Sequence, residues 1–365
     1  MWNRNSSIVI AVLFLIAVSL PAGQMCCSTF CCGETKSPGT SPEPLRDAPA
    51  SFMERMQRFE NSFNEEFGLR NFLIRWNNIA RIELLSITPI PHVILGKDGW
   101  LFYRSEAVDD GNTILDYRGL SPLSREALET IRRNLEADRD ALAKRGIPYI
   151  VVIAPNKNTL YGEYLPDHMT RIGPATRLDQ LVEYMGAHSG VELLDLREPL
   201  AKARREYPVY YSTDSHWNDY GAYIGYTEII RRIAKYYPGV KPVELSRPGV
   251  ALVPSPIGLD IPQMLCMTDM IPEACDVRLD FVRRDVPFVL DKLCFKHDSF
   301  GDKLYPFLNR HFRKVVGMAP FTKLDFEKID RERPNVMLNV LAERYLYMAL
   351  NDDYHLKDVR FEAAP

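Results

Sequence analysis

Asp214 and His216 lie two residues apart in Tyr211-Ser-Thr-Asp-Ser-His-Trp217. A carboxylate beside an imidazole is the pair a general base needs, because the carboxylate holds the ring tautomer and stabilises the imidazolium. A second stretch, Leu293-Cys-Phe-Lys-His-Asp-Ser-Phe300, runs an apolar strand into Asp298-Ser299. A serine at a helix start sits among free backbone N–H groups, which with the helix dipole can stabilise an oxyanion. A nucleophilic serine needs such a strand-to-helix turn. Both motifs also have a plain reading: Asp and Ser are common helix caps, and His216 is then a satisfied polar ring. Metal ligation is a third reading for Asp214 and His216, with no further clustered His or Cys nearby. A third stretch, Arg333 to Tyr345, reads as a buried strand entering a helix, where Glu343 and Arg344 close the site or form a surface ion pair, with a structural role favoured. Together the first two motifs supply nucleophile, base and orienting acid, and a doubly wound sheet sets such strand ends along one edge.

The elements that must position these groups follow from periodicity. Tyr149 to Ala154 is a short, continuous apolar run, suited to a parallel strand covered on both faces. Ser121-Pro122 reads as the start of a helix reaching Lys144, which Gly146 ends. Gln180 to His188 and Tyr220 to Tyr236 are helical, and Val191 to Leu196, Phe288 to Phe295, Lys314 to Met318 and Val336 to Val340 are strands. Strand and helix alternate, so the fold class is α/β with an open, mostly parallel sheet. His92 to Tyr103 reads as a hairpin turned by Asp98-Gly99.

The N-terminal part is organised differently. Arg4 precedes the mostly apolar run Ile8 to Leu20, which has signal-peptide form and is short for a membrane span. Residues 1–25 are therefore expected to direct export, as a cleaved signal or an anchor. Residues 26–50 form a linker rich in Cys and Pro, and 51–90 a helical segment with Phe52, Met56, Phe59, Phe63 and Phe67 on one face and a second helix from Arg70 to Leu85. Residues 91–365 form the catalytic domain. Of seven cysteines, Cys26, Cys27, Cys31 and Cys32 crowd beside the signal region in no standard zinc spacing. Cys266 and Cys275 pair or stay free, and Cys294 reads as a core residue. A 25% share of charged residues and a net charge of −3 do not resemble a nucleic-acid binder.

Several blocks together resemble the alginate O-acetyltransferase family of SGNH-hydrolase-like proteins, the AlgJ- and AlgX-like proteins. They are Gly96-Lys-Asp-Gly-Trp-Leu-Phe102, Ala154-Pro-Asn-Lys157 with Tyr161-Gly-Glu-Tyr-Leu-Pro166, Thr213-Asp-Ser-His-Trp-Asn218 with Gly221-Ala222, and Asp298-Ser-Phe-Gly301 with Pro306-Phe-Leu308. Phe312 and Glu343-Arg344 follow as the family's tail. The likeness runs from about residue 51 to 350. It implies a three-layer α/β/α sandwich, a triad of Ser299, His216 and Asp214, and Tyr305 as an active-site group. It departs from the family at His297, where Gly is common, and at Gly258-Leu-Asp260, near the usual Gly-Asp-Leu. An extra carbohydrate-binding domain is not expected.

The expected activity is transfer of an acetyl group, through an acyl-serine, to hydroxyls of an exopolysaccharide such as alginate. The rivals are an acetylesterase of the same fold and a non-catalytic polysaccharide-binding scaffold. Trp217 is expected to stack on a sugar ring or to sit in the core, and Lys157 and Arg118 to meet an acidic polymer. No cofactor or metal is expected. The resemblance implies a membrane-bound O-acyltransferase partner as acetyl donor, beside other polysaccharide assembly proteins, in the periplasm or another extracytoplasmic space.

Overall fold

The computed structural model describes residues 70–85, 87–104, 112–282 and 289–346. The expected signal segment, the linker and the helix through Phe52 to Phe67 lie outside the described residues. The chain divides into two units, Met1–Ile87 and Thr88–Pro365. In the first, α1 (Arg70–Ile79) passes into a π-helical turn over Ala80–Leu84, close to the helix expected there.

The second unit opens with the hairpin β1 (Val93–Leu95) and β2 (Leu101–Tyr103), turned by Asp98 and Gly99 at φ of 53° and 78°. There follow α2 (Thr113–Tyr117), α3 (Arg125–Ala143), β3 (Tyr149–Ala154), α4 (Lys157–Leu160), α5 (Arg177–His188), β4 (Glu192–Asp195), α6 (Arg197–Ala203) and α7 (Asp219–Ile233). An excursion comprises β5 (Leu245–Leu252), α8 (Asp260–Met264) and β6 (Val277–Phe281). The chain returns through β7 (Leu290–His297), a 3-10 turn (Ser299–Leu304), α9 (Tyr305–Leu308), β8 (Phe312–Met318), α10 (Phe326–Glu332) and β9 (Val336–Ala342).

Five strands form one parallel sheet in the order β4-β3-β9-β7-β8. Every residue of β3 and β9 is buried, which explains their unbroken apolar sequence. Alternate side chains of a strand face opposite ways. Ile150 and Val152 of β3 join one core with Leu200 of α6, Ile229 and Ile230 of α7 and Leu308 of α9. Val151 and Ile153 join the other with Ile131 and Leu135 of α3, Leu181 of α5 and Ile329 of α10. Helices thus cover both faces, the three-layer α/β arrangement expected.

Two helix starts differ from the sequence reading. α3 starts at Arg125, where the Ser124 hydroxyl accepts the Ala127 amide at 3.1 Å. Ser121 is diverted instead to Arg177, whose Nε donates to the Ser121 carbonyl at 2.8 Å. α5 starts three residues earlier than expected, behind a Thr176–Asp179 capping box. The antiparallel β5–β6 ribbon was not anticipated at all. Pro248 and a register shift between Leu245 and Val250 break the alternation that marks a strand.

His311 is fully buried, and the Tyr226 hydroxyl, which accepts the Val243 amide, donates to its Nε2 at 2.6 Å. Burial, helped by the Arg310 charge, pushes the imidazole down to about 4. The unfolded chain binds the proton near 6.5, so between those values it holds a proton that the fold excludes. The contribution to stability is complete above about pH 6.5 and is lost as pH falls towards 4, by on the order of 3 kcal/mol. In urea titrations at pH 7 and pH 5, a His311→Gln variant should lose less stability on acidification than the parent. Equal losses would show that His311 does not set this slope.

Candidate active site

The loop that carries Asp214 and His216 does not end a strand of the sheet, as the sequence suggested. It is closed instead by an isolated antiparallel bridge between Tyr210 and Trp217, ahead of α7. Trp217 is 0% exposed, and its Nε1 donates to the Phe300 carbonyl at 3.1 Å. It therefore fastens the loop to the turn carrying Ser299. The expectation that it stacks on a sugar ring is corrected by this burial, and its core role stands.

Ser299 follows β7 at the carboxyl edge of the sheet, exposed at the first position of its 3-10 turn. Asp298 builds that turn: one carboxylate oxygen accepts the Phe300 amide at 2.9 Å and the other the Ala342 amide at the end of β9 at 2.6 Å. The Ser299 amide lies ahead of the first intrahelical bond, as the first amides of any helix do. His297 sits just before it. Its Nδ1 lies 2.7 Å from the Asp298 carbonyl and so donates there, leaving Nε2 to accept the Tyr305 hydroxyl at 3.1 Å. The ring occupies the space over Gly301, where a Cβ would lie 2.3 Å from it. The glycine missing at position 297 is thus compensated by the one at 301.

The nucleophile, base and acid meet in a single chain of hydrogen bonds. Ser299 Oγ lies 2.7 Å from His216 Nε2, and His216 Nδ1 lies 2.7 Å from Asp214 Oδ1. The same Asp214 oxygen accepts the His216 amide at 2.8 Å. Side-chain exposure is 24% for His216 and 16% for Asp214, so the chain runs from solvent inwards. Burial raises the Asp214 carboxyl, but the hydrogen bonds and charge of His216 outweigh it and hold the carboxyl low. An ionised Asp214 is the state that keeps the Nδ1 proton in place and leaves Nε2 free to take one from Ser299.

Beneath the loop lies Lys157, 4% exposed. Its Nζ donates to the carbonyls of Leu101 at 2.5 Å, Ser212 at 2.8 Å and Asp214 at 2.9 Å. Its expected meeting with an acidic polymer is therefore corrected: all three donors are spent on backbone below the site. One buried ammonium joins the β1–β2 hairpin, the start of α4 and the 211–217 loop, three blocks that are far apart in sequence. Burial, opposed by Glu273, Asp260 and Asp214, lowers Lys157 to about 7.

Two further groups escaped the sequence reading, and both belong to the excursion. Glu273 is 0% exposed. Its carboxylate accepts the amides of Ser212 (2.9 Å), Thr213 (2.7 Å) and Cys275 (2.6 Å) and the hydroxyls of Ser212 (2.9 Å) and Thr213 (2.6 Å). Asp260 accepts the Ser215 amide at 3.0 Å and the Ser215 hydroxyl at 2.7 Å. Nothing in an isolated Glu or Asp announces a partner some fifty residues upstream.

The remaining candidates are placed as follows. The Tyr305 hydroxyl bonds to His297, and none of its hydrogen bonds reaches the triad. Arg118 donates to the Thr170 carbonyl at 3.3 Å and is tied to that loop. Glu343 and Arg344 are buried, which rules out a surface ion pair. Glu343 accepts the Asn156 amide at 2.7 Å and the Thr159 hydroxyl at 2.6 Å, and burial with the charge of Asp116 raises it to about 7. Cys266 and Cys275 are free thiols, and Cys294 is buried in β7. Among the described residues, Asp214, His216 and Asp260 are the only group whose donor atoms converge closely enough to hold a metal ion. No helix among the described residues is long and apolar enough to cross a membrane.

Residues 93–246 match the family described as the SGNH hydrolase-like domain of the acetyltransferase AlgX. That span includes Asp214 and His216 and stops short of Ser299. A probable alginate O-acetylase AlgJ of Pseudomonas syringae pv. tomato is 31% identical over 153 residues, 40% of this chain and 35% of the relative. The corresponding protein of Pseudomonas aeruginosa is 30% identical over 170 residues, 45% of this chain and 38% of the relative. The matches thus span little more than a third of those relatives. The solved O-acetyltransferase domain of Pseudomonas putida AlgJ aligns with a TM-score of 0.48 at 18% identity, covering 71% of this chain and 93% of that one.

Proposed function

From the likeness of residues 93–246 to the SGNH hydrolase-like domain of AlgX and to the alginate O-acetylases, we propose that the chain is an exported serine-dependent O-acetyltransferase of that family acting on an exopolysaccharide. The observation that carries the catalytic part is the unbroken hydrogen-bond chain Ser299–His216–Asp214, with Ser299 open to solvent.

In the first step His216 Nε2 takes the Ser299 proton while Oγ attacks the carbonyl carbon of an acetyl donor. The tetrahedral oxyanion is met by the Ser299 amide at the head of its turn. As it collapses, the bond to the leaving group breaks and His216 returns the proton to that group, leaving acetyl-Ser299. In the second step a sugar hydroxyl gives its proton to His216 and attacks the ester, and Ser299 is released with that proton restored. Asp214 keeps Nδ1 protonated and offsets the imidazolium charge in both steps.

The acceptor is an acidic exopolysaccharide of the alginate class, and the acetyl group comes from a membrane-bound O-acyltransferase. Arg4 and the apolar run Ile8 to Leu20 support export to the periplasm, with or without a retained anchor. To test the reading, the protein is incubated with an acetyl ester and oligouronate acceptors, and the products are weighed by mass spectrometry. The expected result is a gain of acetyl groups on the oligomers and none with Ser299→Ala. Release of free acetate with unmodified oligomers would make the protein an esterase of the same fold.

A further inference from the structure

We propose that Asp260 is a positioning residue of this centre, so that His216 is oriented from behind by two carboxyls, Asp214 directly and Asp260 through Ser215. The inference rests on the reading of Ser299 and His216 as nucleophile and base.

The geometry is specific. Ser215, between the acid and the base, has both its donors taken by Asp260: its amide lies 3.0 and 3.2 Å from the two carboxyl oxygens, and its hydroxyl donates to Oδ2 at 2.7 Å. The same Oδ2 stands 3.6 Å from His216 Nδ1, and Ser215 Oγ stands 3.3 Å from it. Asp260 is itself held in place. The Leu259 amide donates to Thr213 Oγ1 at 3.3 Å and the Ile261 amide to the Thr213 carbonyl at 3.2 Å. The turn carrying Asp260 is thus fastened on both sides to the loop it grips.

The charges facing Asp260 are Asp214 and His216 on the loop, with Lys157 beneath it. Burial and the Asp214 charge raise Asp260 to about 6, against the hydrogen bonds of Ser215 and the charge of His216. Above that pH both carboxyls are ionised, and the imidazolium formed during proton transfer gains a second counter-charge. Below it Asp260 carries a proton and the gain disappears. A charge within about 4 Å shifts a neighbour's titration by about one unit or more.

The test follows the rate at which a sulfonyl fluoride labels Ser299 across pH 5 to 9, with EDTA present so that no stray metal bridges the three donors. Asp260→Asn keeps an oxygen to accept the Ser215 amide and removes the charge. It should lower the plateau rate about tenfold and move the acid limb about one unit to lower pH, because His216 becomes less basic. Ser215→Ala keeps the Asp260 charge, so its limb should stay with the parent's even if the plateau falls. A merely structural Asp260 would lower the plateau of Asp260→Asn and leave its limb in place, and that result overturns the proposal. Failure of the unaltered protein to label at all overturns the Ser299 reading itself, so the two failures are distinguishable.

Discussion

Ser299→Ala should lower acetyl transfer by about 10⁴-fold or more while leaving the thermal transition where it was. The loss is large because the covalent intermediate disappears, and triad members act as a unit. The fold is spared because Oγ is exposed and has His216 as its hydrogen-bond partner, while the cap that shapes the turn belongs to Asp298. The variant and parent are compared by acetyl content of the oligomers and by calorimetry. A variant within tenfold of the parent would remove Ser299 from the mechanism.

Glu273→Ala should be the most destabilising single change near the site. It strips the acceptor from three amides and two hydroxyls in a fully buried place. Leaving buried donors unpaired costs about 1–3 kcal/mol each, and breaking a buried charge network about 3–5 kcal/mol in total. With roughly 2–4 °C per kcal/mol for a domain of this size, a loss of about 3–5 kcal/mol should lower the transition by about 6–20 °C. Glu273→Gln should recover only part of that, because its amide NH₂ faces groups that donate. A shift below about 2 °C for the alanine variant would show that the loop does not depend on this carboxylate.

The parts of the fold that could be read from sequence are those governed by local rules. β3 and β9 are legible because a strand covered on both faces must be apolar throughout, and the α3 and α7 helices because one apolar stripe repeats at helical spacing. Asp214, His216 and Ser299 could be named from residue type and turn position. Their contact, across 83 positions of sequence, followed from the family resemblance, since the loop of Asp214 and His216 ends no strand of the sheet. The excursion hid Asp260 and Glu273, since a ribbon with a proline and a register shift has no period and a carboxylate does not advertise which amides it will receive. Lys157, and Trp217 in one of its two readings, are drawn towards the substrate for the opposite reason. Their side chains have the chemistry that binds sugars and anions, and only burial shows that this chemistry is turned inwards to hold the site up.

The place of β9 in the sheet has a consequence for synthesis. Among the described residues the strand made last, β9, lies between β3 and β7, with β3 on one side and the strand leading to Ser299 on the other. Until residues 336–342 have emerged and inserted, β7 has no edge of β3–β9 to join, and the Asp298 cap lacks the Ala342 amide it receives. A chain that stops before residue 336 therefore lacks the strand that joins β3 to β7 in one sheet.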